Sequence, residues 1–433
     1  MHEGATPTVS PLRDRTYRRL FAAQVIALLG TGVATVALSL LAYDLAGDDA
    51  GVVLGVALAL KMVAYVVVAP VVAGFLQRVE RRRLLIGLDL ARAACVLVMP
   101  FVTQVWQVFA LILVLNACSA GFTPTFQAAI PDVLPDEERY TRALSLSRVA
   151  YELENLLSPA LAAAALLVVS FHALFAVNGI AFLSSAALVA SVALPAATPA
   201  VRSTAGSVAA RLSFGTRRYL RVPRLRALLA LNVAVAAASA MVIVNTVVYV
   251  RDAFGRDAEV DVAVALGAAG VGSMLAALLM PRILRRLGDR ATVLTGGAVL
   301  PVGLAATAVL PSYAALLVVW AVLGVGLALV ETPAGRLVQR SVTDGDGQAL
   351  FAAQFSLSHA CWLLTYPVAG VLGSVLGLDA VAGILAGVAA VATVGAAALW
   401  RKTAPAERVP PRDVRRAARR PAPGRRGRPG PRP

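Results

Sequence analysis

Long apolar runs separated by short polar breaks recur along almost the whole chain of 433 residues. A helix of about 20 apolar residues crosses a bilayer core of about 30 Å. The pattern predicts twelve such spans, at 20–43, 51–76, 84–103, 106–130, 144–169, 172–194, 227–250, 262–286, 292–310, 314–333, 350–375 and 379–400. Backbone amides in lipid must be satisfied within the chain, so the runs are expected to be helices, and the alternating ten-residue segments of a membrane barrel are missing. The first run is far longer than the apolar part of a signal peptide and is expected to stay as span 1.

Composition agrees with the pattern. Apolar residues make up 59% of the chain and charged residues only 15%, where a soluble domain carries about 25% charged residues. Cys95, Cys118 and Cys361 all fall inside spans without metal-ligand spacing and read as soft packing residues. There is no catalytic constellation and no GxxxxGK[ST] loop, so the reading is a non-enzyme with no cofactor and no ATP-driven step.

The net charge of +16 raises nucleic-acid binding as a function, but position argues against it. With the amino terminus inside the cell, 36 of the 40 Lys and Arg residues fall on the cytoplasmic side. The positive-inside rule then puts both termini in the cytoplasm of a multi-pass protein of the plasma (inner) membrane. The 401–433 tail of Arg, Pro, Gly and Ala cannot bury a core. It is expected to be disordered and drawn to anionic lipid, and it lacks the interleaved aromatics that stack on bases.

Residues 195–226 read as a cytoplasmic linker between a 1–194 half and a 227–400 half, with Ser213–Arg226 expected as a basic amphipathic helix on the membrane surface. The halves repeat. Thr123-Pro124 and Thr332-Pro333 lie 209 apart, Pro159 and Pro367 lie 208 apart, and the basic turns ending at Arg83 and Arg290 lie 207 apart. Two parallel six-helix halves with a site between them is a transporter architecture.

Charges inside a membrane are expensive and are functional candidates by default. Lys61 is one of only two lysines and sits near the middle of span 2. Unlike Arg, a desolvated Lys can lose its proton. Glu152 and Glu154 lie at similar depth in span 5 but point about 200° apart on a helix, so one is expected to be structural and one to face a cavity. Arg148 stands at the i−4 position from Glu152 and can pair with it. Lys61 with one glutamate is the expected proton-linked switch, and His359 is a further proton-site candidate.

Polar stripes point to a substrate cavity. They comprise Thr31, Thr35 and Ser39 in span 1, Asn116, Ser119, Thr123 and Gln127 in span 4, and Asn232, Ser239 and Thr246 in span 7. Interhelical bonding is the alternative for each. Ser358, Trp362 and Tyr366 share one face of span 11 as a possible aromatic wall. Glu331, beside Arg336 and Arg340, reads as a gate or a structural ion pair. Gly267, Gly270, Gly324 and Gly326 read as helix-packing positions.

The segment Gly74-Phe75-Leu76-Gln77-Arg78-Val79-Glu80-Arg81-Arg82-Arg83, followed by Asp89 and Arg92, resembles the loop 2–3 motif of the major facilitator superfamily, with Gln77 where that motif has an Asp. Ser158-Pro159-Ala160 resembles the Gly-Pro antiporter motif of its bacterial drug exporters. The resemblance covers about 15–400. It implies an all-α membrane protein, a cytoplasmic gate that includes Arg78, Arg82, Asp89 and Arg92, and a cavity lined by spans 1, 4 and 7. The function expected from the whole sequence is a secondary transporter whose partners are protons, a small organic substrate and the bilayer, with anionic lipid at its cytoplasmic face and no nucleic acid. Proton-coupled export by alternating access is the first reading. The alternatives are an importer or lipid-moving member of the same fold, or a non-transporting membrane scaffold or receptor.

Overall fold

The structure is a computed structural model, and it describes residues 10–46, 50–76, 79–195, 207–256, 259–343 and 345–401. Among these residues the chain is a helical bundle: α1 (Arg15–Ala46), α2 (Ala50–Phe75), α3 (Arg81–Val98), α4 (Val105–Val133), α5 (Glu137–Leu166), α6 (Phe171–Ala190), α7 (Val208–Leu212), α8 (Phe214–Arg221), α9 (Pro223–Val248), α10 (Glu259–Thr307), α11 (Tyr313–Gln339), α12 (Gly347–Leu376) and α13 (Leu378–Arg401).

Ten of these helices are long and apolar enough to cross a membrane. Two features of the remaining helices bear on the spans expected from the sequence. The 49 residues of α10 would reach about 70 Å as one rod, twice a bilayer core, and the helix breaks at Gly288 (φ 71°, ψ 171°), a conformation that favours glycine. Its two arms match the spans expected at 262–286 and 292–310. Helix α5 has the length to cross, but its seven charged residues depress its hydropathy.

The helices sort by packing into two groups. Helices α9–α13 share one continuous core around the fully buried Trp320, whose indole N–H donates to Thr246 Oγ1 (2.7 Å) and whose ring meets Tyr249 edge-on. Helices α1–α6 hold separate apolar clusters, one around Tyr17, Phe126 and Tyr140 and another around Leu41, Ile112 and Phe175. One end of the bundle carries the start of α1, the α2–α3 and α4–α5 links, α8 and the end of α11. Arg15, Arg18, Arg81–Arg83, Arg336 and Arg340 lie there and make it the basic face of the bundle.

The expected surface helix over 213–226 is corrected. Pro223 starts α9, as a residue without an N–H does well in a first turn. The preceding α8 docks on the start of α12 rather than lying free on lipid. Tyr219 is fully buried and its hydroxyl donates to Gln354, while Arg218 pairs with Asp346 at 2.8 Å. Gly215 permits this approach, since a Cβ there would stand 2.5 Å from the Ala349 carbonyl oxygen. Arg217, Arg221 and Arg226 stay exposed. The 401–433 tail beyond Arg401, Gln77 and Arg78 lie outside the described residues.

Candidate functional site

Contacts between the two helix groups begin at the basic face. Arg336 and Arg340 of α11 both pair with Glu137 at the start of α5 and with Asp289 of α10, and Arg336 also donates to Thr141. Arg285 of α10 pairs with Glu138 at 2.8 Å. Glu137 and Glu138 fill the first turn of α5, where carboxylates suit the helix dipole. The exposed pairs contribute little singly, but here they form one network across the group boundary.

At mid-depth two further sets of contacts close the boundary. Between α2 and α12, Tyr65 lies 5.1 Å from Phe355 and 4.8 Å edge-on to His359, and Ser356 donates to the Val66 carbonyl. Between α5, α10 and α11, Arg148 is held by Glu152 (2.7 Å) and by Glu331. Ser273 of α10 accepts from Arg148 Nε at 2.9 Å and donates to Glu152 at 2.7 Å. Leu156 of α5 faces Gly267 and Gly270 of α10, where an added Cβ would stand 3.5 Å from the leucine, an ordinary van der Waals contact. The polar contacts among these lie between the basic face and the level of Lys61, Glu152 and His359, while the apolar Leu156 contact lies one turn beyond Glu152.

At that level stand the charged residues that the sequence singled out. Lys61, in the middle of α2, is half-buried with its Nζ 5.7 Å from the Tyr65 ring centroid, and no carboxylate among the described residues lies within 4 Å of it. Glu154 is half-buried, has no hydrogen-bond donor among the described residues, and is within electrostatic reach of Lys61. It abuts Gly32 of α1, where a Cβ would stand 2.8 Å from its Oε1 and 2.0 Å from Ser158 Oγ. The two glutamates of α5 are therefore divided as their 200° separation requires: Glu152 is buried in the Arg148 network, and Glu154 has no ion-pair partner among the described residues. His359 is buried in an aromatic cluster with Tyr65, Phe355 and Trp362, and its Nδ1 lies 2.7 Å from the Phe355 carbonyl oxygen. A carbonyl only accepts, so Nδ1 carries the hydrogen.

Other sequence candidates are not brought to this point. Thr31 and Thr35 are exposed on α1 beside Gly32, and Thr31 Oγ1 donates to its own helix at Ala27. Asn116 and Ser119 likewise donate to carbonyls one turn back, and Thr123 and Gln127 are half-buried nearby. Asn232 and Ser239 are buried in α9 with the α9–α13 core around them, and Thr246 serves Trp320. Ser358 returns its hydroxyl to Phe355, while Trp362 packs edge-on to His359 and Tyr366 is half-buried a turn further on. The side chain of Ser39 lies outside the described residues.

The residues of the expected gate fall in three places. Arg82 donates to the Ala190 carbonyl of α6, inside the first helix group. Asp89 and Arg92 form a fully buried pair in that same group, with Ser185 donating to Asp89 at 2.8 Å and the guanidinium 4.2 Å and 4.5 Å from the ring centroids of Phe122 and Phe182. Glu331 pairs with Arg148 rather than with Arg336 or Arg340. Five residues of helix turn Arg336 about 140° away from Glu331, toward Asp289. A prediction follows: Arg92→Ala leaves Asp89 charged and unpaired in the interior, at a cost of about 3–5 kcal/mol, read as loss of monodisperse protein in detergent, whereas Arg82→Ala is tolerated.

Tyr65, Gly32 and Ser273 belong to the site and were not singled out in the sequence. Tyr65 had a signal, being one turn from Lys61. Gly32 and Ser273 had none, because their roles depend on which helix lies opposite.

A bundle of two helix groups meeting at a charged mid-membrane level defines a class of multi-pass membrane protein. The sequence profile of the Major Facilitator Superfamily matches residues 20–358 and 229–429, and the chain belongs to that family. It is 26% identical over 181 residues to macrolide efflux protein A of Streptococcus pyogenes, a match that spans 41% of this chain and 44% of that relative, less than half its length. The fold is similar to the crystal structure of the human organic anion transporter MFSD10 (TM-score 0.71, 15% identity, 88% of this chain and 99% of that one). It is also similar to a bacterial homologue of the iron transporter ferroportin in an outward-facing state (TM-score 0.69, 15% identity, 89% and 98%).

Proposed function

We propose that this chain exports a small organic compound in exchange for protons, by rocking a 1–194 half against a 227–400 half about the mid-depth level, with 195–226 as the linker. The observation that carries the reading is the half-buried Glu154, within reach of Lys61 and with no ion-pair partner among the described residues, at mid-depth in a bundle whose polar group-to-group contacts run from that level to the basic face. The positive-inside rule assigns the basic face to the cytoplasm, with both termini. The arrangement is then an outward-open state with a closed inner gate of Glu137, Glu138, Arg285, Asp289, Arg336 and Arg340. The partial resemblance to a macrolide efflux protein favours export and an organic substrate. His359 and the aromatic rings around it form part of the substrate floor. The exposed Arg217, Arg221 and Arg226 face the anionic inner leaflet, and the basic tail adds to that attraction.

The test is proton flux in proteoliposomes of the full chain, read with an internal pH dye against a panel of lipophilic cations, neutral antibiotics, sugars and amino acids. Substrate-dependent proton movement opposite to substrate is expected. Substrate movement with no proton movement would overturn the coupling, and accumulation of substrate on the side of the basic face down a proton gradient would overturn the direction. At the gate, Arg336→Ala is expected to make a cysteine introduced at Ser145, buried on α5 one turn beyond Thr141, more accessible to a membrane-impermeant thiol reagent from the basic side. A rate unchanged from the parent would show that these ion pairs do not hold that side shut.

A further inference from the structure

The mid-depth network has an uneven charge count. One guanidinium, Arg148, faces two carboxylates, and the two come from different places: Glu152 is on its own helix and Glu331 is on α11 of the other group. The remaining polar contact, Ser273, is also across the boundary, on α10. Arg148 is thus bound at once to the helix that carries it and to the two helices that would move away from it. Removing a buried charge from its only partner is prohibitive, but Arg148 does not face that cost. If α11 withdraws, Glu152 keeps the guanidinium neutralised one turn away.

We propose that Arg148 is a latch passed between two carboxylates: Arg148–Glu331 ties the helix groups together in this state, and Glu152 keeps Arg148 paired when that tie opens. Glu331 is the carboxylate released, half-buried and held by Arg148 in this state and freed of that partner when the groups part. Other titratable groups near the network are Glu154 on α5 and Tyr366 on α12. The inference rests on the alternating-access reading but not on proton coupling or on any substrate. Arg148 and Glu331 are positioning residues here, since neither is assigned contact with the transported compound.

The two carboxylates should therefore differ sharply when neutralised. Glu331→Gln cuts the tie across the boundary and leaves Arg148 with Glu152. Glu152→Gln leaves the tie one-to-one, and the amide oxygen still accepts from Ser273. The measurement is the distance between spin labels at Pro135 and Arg286, on the basic ends of α4–α5 and α10, in the full chain with Cys95, Cys118 and Cys361 replaced by alanine and with no substrate or gradient present. The opening equilibrium is expected to rise about tenfold or more in Glu331→Gln, as loss of one partner of a half-buried pair at membrane mid-depth implies, and to change by less than about twofold in Glu152→Gln. A third variant carries Arg148→Glu with Glu331→Arg. It places the one cation on α11 opposite two glutamates on α5, and is expected to restore the closed distance. Equal opening in both single variants, or no opening in either, overturns the latch. Failure of the exchanged pair to close relative to Glu331→Gln overturns it too. Failure of the flux assay with these distances as expected would count against proton exchange alone.

Discussion

Glu154→Gln is expected to reduce substrate-driven proton flux by about 10- to 100-fold, the range of a typical coupling free energy between two sites, while binding of the transported compound persists. The reason lies in what surrounds the carboxylate. Glu152 has Arg148 and Ser273 to satisfy it, whereas Glu154 has neither an ion pair within 4 Å nor a hydrogen-bond donor among the described residues, and Lys61 is the cation that acts on it. A carboxylate held that way at mid-membrane depth is costly as a fixed charge and useful as one that gains and loses a proton. Glutamine matches its shape against Gly32 and Ser158 but cannot titrate. Lys61→Gln is expected to reduce the same flux, and Lys61→Arg to restore the charge without restoring a group that can give up its proton. The check is the pH-dye assay beside a direct binding measurement on the same preparations. Undiminished flux in Glu154→Gln would remove the carboxylate from the coupling and leave Lys61 and His359 as the titratable neighbours.

Gly324→Ala should be among the most damaging small substitutions in the chain. Where α10 and α11 cross, a Cβ on Gly324 would stand 1.9 Å from the Ala269 carbonyl oxygen and one on Gly272 would stand 2.0 Å from the Ala321 carbonyl oxygen. Both obstacles are backbone, which cannot rotate away, and interfaces between membrane helices depend on such small residues for close approach. Separating the helices enough to admit a methyl group costs about 1–3 kcal/mol as overpacking, read as an unfolding midpoint in detergent lower by about 5 °C or more. The effect reaches the site, because Ser273 follows Gly272 on α10 and Glu331 lies two turns after Gly324 on α11. Spreading that crossing moves both away from Arg148. Gly383→Ala is the control: no atom lies within 4 Å of its added Cβ, and alanine is the better helix former by about 1 kcal/mol. Equal midpoints for the two variants would mean that the crossing yields more easily than its backbone contacts imply.

The sequence by itself determined the membrane class, the run of spans and the asymmetry of charge, because hydropathy and Arg position are properties of residues taken singly or in short runs. It also divided Glu152 from Glu154, since 100° per residue fixes which of two side chains on one helix can share a face, and it put Arg148 one turn from Glu152 for the same reason. What it left open was every question of which helix lies opposite. Gly32 became part of the site only because α1 crosses α5 at Ser158, and Glu331 met Arg148 rather than its neighbour Arg336 because α11 turns the two glutamate and arginine side chains to different helices. Asp89 and Arg92 carried a motif read as a gate, yet three packed helices enclose them within one group. The break at Gly288 divides an apolar stretch that as a single rod would be too long for any bilayer. Contacts across the bundle join residues more than a hundred positions apart, and local periodicity carries no record of them; they are set by how closely backbones can approach, which only the packed structure decides.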